Sequence, residues 1–215
     1  MKKQTEKSVK TGIQAYGVSL LLSSHPEVRK LKSLHSPYLH GNKLWNSSWL
    51  LVDFLKRQRM PEGMRIMEVG CGWGLAGIYC AKRHNALVTA VDSDKEVFPY
   101  LQLHAAINKV EIKTMKRGLG GLKVQDLRGF DVLIGADICF WDELALSLKR
   151  LISRALRAGV RMILIADPGR SPFFKVGEHF VRSQESKLLD WSTKRPRPIK
   201  GRILKITQLN HIRAT

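Results

Sequence analysis

Cysteine, acidic residues and long apolar runs are all scarce in this chain, and each shortage excludes something. Cysteine occurs three times in 215 residues. Cys71, Cys80 and Cys139 cannot all pair, and none belongs to a Cys-x-x-Cys or Cys/His cluster of ligand spacing, which argues against a disulfide framework and a metal site. A reducing, cytoplasmic location is the expectation. The longest N-terminal apolar stretch, Val18 to Leu22, is interrupted by Ser19. It is too short to span a membrane and poor as a secretory core. Residues 1–24 are basic and contain Ser and Thr, so a mitochondrial location is the alternative, with Glu6 counting against a transit peptide. Asp and Glu number 18 against 37 Lys and Arg, giving a net charge of +19. That excess attracts nucleic acid, anionic surfaces or an acidic protein partner and says nothing about fold. Gly-x-Ser-x-Gly and Walker loops are also absent, which removes the common hydrolase and kinase readings. The seven histidines show no ligand spacing.

The remaining composition is that of a globular domain, with 44% hydrophobic and 26% charged residues. Residues 1–44 give mixed signals: Lys2, Lys3, Lys7 and Lys10, then Leu20 to Leu22, then Arg29, Lys30 and Lys32. They read as a basic, partly helical extension ahead of a domain over 45–215. Asn46-Ser-Ser48 reads as the cap of a helix through Leu55 that Pro61-Glu-Gly63 ends. Beyond it, strands at Arg65–Val69, Ala86–Val91, Val110–Met115, Phe130–Gly135 and Arg161–Ala166 alternate with helices at Leu75–Lys82, after Asp94 to about Asn108, and Leu144–Leu156. Such alternation implies an α/β, doubly wound, mostly parallel sheet. A helix at Val176–Ser183 and strand candidates Lys187–Trp191 and Arg202–Leu209 then suggest a terminal hairpin.

The first strand runs into Gly70-Cys-Gly-Trp-Gly74. Glycines between a strand and a helix let backbone approach a ligand and present helix N-terminal N–H groups. Gly72, Gly74 and Gly77 match Gly-x-Gly-x-x-Gly, and Asp92 follows about 20 residues on, where a carboxylate can accept from ribose hydroxyls. This much fits NAD as well as any other adenosine-containing cofactor.

The fuller segment Glu68-Val-Gly-Cys-Gly-Trp-Gly74 resembles motif I of the class I, seven-strand S-adenosylmethionine-dependent methyltransferases. Leu44-Trp-Asn-Ser-Ser-Trp49 and Gly135-Ala-Asp-Ile-Cys-Phe140 resemble segments of that class's family 16, which contains many protein-lysine methyltransferases. There Asn46 replaces proline and Phe140 replaces tyrosine. Asp167-Pro-Gly-Arg170 resembles the turn after strand five in the electron-transfer-flavoprotein β-subunit lysine methyltransferases. The resemblance implies a Rossmann-like sheet with an antiparallel C-terminal strand. It implies S-adenosyl-L-methionine as cofactor, S-adenosyl-L-homocysteine as product and no metal. Trp45, Glu68, Gly70, Gly72, Gly74, Asp92, Ser93 and Ala136 are its cofactor-binding positions; Asp137 and Phe140 are its catalytic ones, and Trp141 is a second aromatic beside them.

Methyl transfer to lysine needs a neutral amine, and at an unperturbed pKa near 10.4 only about one in 2,500 is neutral at pH 7. Asp137 is therefore expected to orient the amine, and Phe140 to wall its channel by cation–π attraction. The expected partner is a protein with an acidic docking surface. Arg150, Arg154, Arg157 and Arg161 form a basic stripe which, with Lys113, Lys116, Arg117 and the Lys194–Arg202 loop, could instead dock RNA or a ribosome. Two readings thus stay beside protein methylation: RNA methylation, and a catalytically silent binding protein of the same fold. Asp167 and Arg170 read chiefly as braces of their turn, with an acidic substrate as the alternative partner of Arg170.

Overall fold

The computed structural model describes residues 12–38, 41, 43–182 and 185–208. Lys2, Lys3, Lys7, Lys10, Ser183 and Leu209 lie outside the described residues.

Seven strands form one sheet: β3 (Arg65–Val69), β4 (Leu87–Asp92), β5 (Lys113–Lys116), β6 (Val132–Ala136), β7 (Met162–Asp167), β8 (Ser186–Thr193) and β9 (Ile199–Thr207), in the order β5-β4-β3-β6-β7-β9-β8. The first five are parallel, and β9 runs antiparallel between β7 and β8. The expected Rossmann-like α/β sheet is thus present. Both faces are covered, so the central strands bury residues of either parity and read as continuous apolar runs. Ile66, Val88, Ile134 and Leu164 join α2 (Asn46–Lys56) and α3 (Leu75–His84) in one core layer. Met67, Val69, Leu133 and Ile163 join α6 (Asp142–Arg157) and α7 (Ser171–Val181) in the other. Helix α6 shows the cause of its placement. Leu148, Leu151, Ile152 and Ala155 recur at helical spacing and are buried, which leaves Lys149, Arg150, Ser153 and Arg157 on the opposite side.

The N-terminal segment is more structured than its sequence suggested. Besides the helix α1 (Pro26–Leu34), it forms a hairpin of β1 (Gly12–Ala15) and β2 (Val18–Leu21). Its two-residue turn, Tyr16-Gly17, has both φ values positive at 56° and 79°, the geometry whose twist matches paired strands. Val18 and Leu20 point into the core, and the backbone N–H groups of Ser19 and Leu21 donate to Asn108 Oδ1 and His104 Nε2 of α4 (Phe98–Asn108) at 2.9 and 3.2 Å. Two four-residue strands fall below what hydrophobic alternation can signal. The polar cluster beside the hairpin binds remote parts of the chain. Tyr16 donates to Asp53 Oδ1 on α2 at 2.9 Å, and Trp191 Nε1 on β8 donates to Asp53 Oδ2 at 3.0 Å.

Strand boundaries otherwise fall within a few residues of expectation. The strand expected from Val110 is shorter, because residues 110–112 are still leaving α4. The short helix α5 (Val124–Leu127) had no sequence signal.

Candidate active site

At the carboxyl ends of β3, β4, β5 and β6 a cleft opens where the strand order reverses, the usual ligand position in a doubly wound sheet. It encloses about 760 Å³ including its solvent-open mouth. Of the predicted residues, Trp45, Gly70, Gly72, Asp92, Ser93, Ala136, Asp137 and Phe140 all line it. Glu68 and Gly74 do not; they sit behind its floor.

Gly70 and Gly72 have left-handed φ values of 60° and 49°. At Gly70 a Cβ would come within 2.3 Å of Ile138 Cγ2, whereas at Gly72 it would meet nothing within 4 Å. One glycine is required by close packing and the other leaves its side open. Gly74 takes the left-handed position at the start of α3, packed on Leu101. Glu68, only 5% exposed, accepts the Gly77 N–H at 3.1 Å and so ties the strand to α3 under the loop. Burial pushes its carboxyl up to about 8 against the lowering effect of the Gly77 and Ala76 N–H groups. It is therefore largely protonated at neutral pH.

Asp92 closes β4. Its Oδ2 accepts from Gly72 N at 3.1 Å and its Oδ1 from Asp94 N at 3.0 Å, so it shapes the glycine loop as well as facing the cleft. Burial raises its pKa, and these backbone donors partly oppose the rise. Asp94 Oδ1 accepts from Glu96 N at 3.0 Å, capping the next turn.

On the β6 side, Asp137 has a left-handed φ of 57° and is 5% exposed. Its Oδ2 accepts the Ser47 N–H at 3.0 Å. The cap expected from Asn46-Ser-Ser48 is thus corrected: those residues form the first turn of α2, and a carboxylate remote in sequence satisfies one of its orphan donors. Asp137 Oδ1 lies 2.8 Å from Arg170 Nη2 without an aligned hydrogen bond. Arg170 also reaches the fully buried Asp167 at 2.7 Å, and its guanidinium lies 4.4 Å from the Phe140 ring centroid. Arg170 is therefore an internal brace, not a hand extended to an acidic substrate. Asp167 fixes the turn as expected, accepting from the Gly169 and Arg170 N–H groups at 2.8 and 2.7 Å.

Phe140 meets Trp45 edge-on at 5.3 Å and Trp141 at 5.7 Å, so three aromatics form one wall. Gly41 reaches the rim through its carbonyl, which accepts from Trp73 Nε1 at 3.0 Å, while Trp73 stacks on Tyr100. Sequence reasoning missed Gly41, Gly118, Leu119 and Leu144 as lining residues and took Arg117 for outer surface, whereas it stands in the wall. Arg117 and Gly118 follow β5, and the rule that ligands meet strand carboxyl ends would have found them.

A family model described as lysine methyltransferase matches residues 36–190. The chain belongs to the lysine methyltransferase family. It is 29% identical over 154 residues to a histidine protein methyltransferase 1 homolog of Dictyostelium discoideum, covering 69% of this chain and 48% of that protein. It is 29% identical over 124 residues to a calmodulin-lysine N-methyltransferase of Arabidopsis thaliana, covering 53% and 40%. An electron transfer flavoprotein β-subunit lysine methyltransferase of Xenopus laevis is 25% identical over 139 residues, covering 62% and 56%. The chain spans about half the length of these curated relatives. Among solved structures, a Pyrococcus furiosus methyltransferase superposes with a TM-score of 0.59 at 17% identity, over 84% of this chain and 95% of that one, which places the family's fold here.

Proposed function

We propose that this chain is an S-adenosylmethionine-dependent methyltransferase acting on a lysine side chain of a protein. One observation carries the reading: the glycine loop with Asp92, and Asp137 with the aromatic wall of Trp45 and Phe140, converge on a single cleft in a member of the lysine methyltransferase family.

The residues present fit the cofactor. The cleft is a partly open concavity with mostly apolar walls and a few convergent polar groups, the character of a small-molecule site. Gly72 leaves its side open toward the cleft, and Asp92 offers a carboxylate where ribose hydroxyls would donate. When bound, S-adenosylmethionine supplies an electrophilic methyl on a sulfonium. The chain's part is alignment, which can contribute several kcal/mol as effective molarity. Gly70 and Gly72 admit the ligand close to backbone, and Asp92 with Ser93 fixes the ribose. Asp137 Oδ1, lacking an aligned donor, accepts from the acceptor amine and orients it. A bare carboxylate there would hold the amine protonated, and the Arg170 guanidinium beside it offsets that effect. Phe140 and Trp45 line the approach. No metal takes part in this reading.

The partner in this proposal is a protein with an acidic docking surface, met in the cytoplasm, where the free, buried Cys71, Cys80 and Cys139 stay reduced.

The test is incubation with tritiated S-adenosylmethionine and a methyltransferase-free cell extract, followed by protease or RNase digestion and counting. Label lost only with protease, recovered as methyl-lysine after hydrolysis, is the expected result. Recovery as methyl-histidine would move the acceptor to imidazole. Label lost only with RNase would overturn the protein substrate. Tight S-adenosylhomocysteine binding with no acceptor labelled would favour a silent binding protein.

A further inference from the structure

A second concavity lies along the outer side of α6, away from the β6 end of the cleft. Lys149, Arg150, Ser153, Arg154 and Arg157 line it from α6, and His179 from α7, enclosing about 530 Å³ including its open mouth. Among the described residues, no acidic side chain lines it. Other basic side chains on and beside these helices find partners: Arg161 with Asp131, Lys175 with Asp142, Arg182 with Glu178. Among the described residues, Lys149, Arg150 and Arg157 have no carboxylate within ion-pair distance. Arg154 donates from Nη2 to the Leu119 carbonyl at 2.8 Å, yet its buried Nε has no hydrogen-bond partner. Burial and the neighbouring Arg157 and Arg150 charges lower its pKa, as expected where like charges converge with no anion between them.

We infer that this groove is a docking surface for an acidic segment of the protein substrate. The inference rests on the protein-methylation reading for the kind of partner, and on charge complementarity for the place. Two features favour a peptide segment over nucleic acid. Tryptophan, tyrosine and phenylalanine are absent from the lining, which leaves His179 as its one aromatic ring and no row of rings on which successive bases could stack. Leu146 at the groove's near end is 47% exposed and supplies an apolar contact beside the cations. Leu144, which lines the cleft, stands two positions before Leu146 and projects from the opposite side of α6, so a chain leaving the cleft rounds the first turn of that helix to reach Leu146. The groove continues from there to Arg157, about 16 Å of helix, enough to engage roughly five residues of extended chain. A substrate segment that fills the groove with carboxylates and then rounds the start of α6 presents its lysine to the cleft. The protein's positive charge is then recognition as well as solubility.

The test uses the full chain and needs neither cofactor nor turnover, so it can fail independently of the methyltransferase reading. A groove variant, Lys149→Gln/Arg150→Gln/Arg157→Gln, is compared with an equal-charge control, Arg59→Gln/Arg83→Gln/Lys109→Gln, whose positions are exposed on other elements. Binding of a fluorescein-labelled octaglutamate peptide and of an octauridylate is followed by anisotropy at physiological salt. Octaglutamate affinity should fall about tenfold or more in the groove variant and little in the control. Equal losses in both variants would reduce the effect to net charge and overturn the proposal, as would absent binding. Tighter, groove-dependent binding of octauridylate would replace the acidic segment with nucleic acid. In the extract assay the groove variant should label less protein with unchanged affinity for S-adenosylhomocysteine.

Discussion

Replacing Arg170 by methionine should expose how much the cleft's far wall depends on one guanidinium. Arg170 lies 2.8 Å from Asp137 and 2.7 Å from Asp167, and both carboxylates are at least 95% buried. At an effective dielectric near 20, unit charges about 4 Å apart attract by about 4 kcal/mol. Removing one partner of a buried pair usually costs about 3–5 kcal/mol, since the survivor stays desolvated. Arg170→Met should therefore destabilise the fold by about 3–5 kcal/mol near pH 7.5, or roughly 6–20 °C in melting temperature for a domain of this size. The pH dependence carries the sharper signature. Burial already raises the Asp167 carboxyl, and Arg170 opposes the rise. Without Arg170 the folded-state value climbs further above the unfolded one, so the folded variant binds protons more readily and its stability falls as pH rises through that window. The deficit relative to the parent should be largest above the raised value and shrink as pH drops toward about 4. Urea unfolding at several pH values measures both. A loss under about 1 kcal/mol, or a deficit that is flat with pH, would refute the brace.

Other outcomes follow from the same geometry. Glu68, pushed up to about 8, should make the parent progressively less stable from about pH 4.5 to 8; Glu68→Gln should flatten that slope, gain on the parent through that window and hold the gain above pH 8, and parallel melting curves would contradict this. Asp92→Ala should weaken S-adenosylhomocysteine binding by about 1.5–3 kcal/mol in isothermal titration, with unchanged affinity removing the ribose assignment. Gly72→Ala should cost only about 1–2 kcal/mol of stability, because its Cβ meets open space, yet reduce cofactor affinity several-fold; unaltered affinity would take the loop's open side out of the binding surface.

The sheet was legible because period and punctuation agree along its length. Strands separated by helices, most of them closed by glycine or aspartate, leave few topologies once crossovers must be right-handed. The cofactor side of the cleft was legible for a related reason: Gly70, Gly72, Asp92 and Ser93 all lie at strand ends, where local sequence sets position. The β6 side was legible only as residue types. Asp137 was visible as a candidate, but its engagement with Ser47 and Arg170 depends on segments 90 and 33 residues away, and no local signal records such pairings. The hairpin of β1 and β2 escaped for the same cause, since its backbone donors are satisfied by His104 and Asn108 on α4.

Because β9 pairs with β7 on one side and β8 on the other, the sheet is completed out of order. During synthesis β7 emerges first, then β8, which has no place until β9 arrives between them. The stretch from Asp167 to Thr207 takes roughly 2–8 s to make at 5–20 residues per second. For that interval Leu164 and Ala166 lie on an open apolar edge, the kind of surface that pairs with other chains.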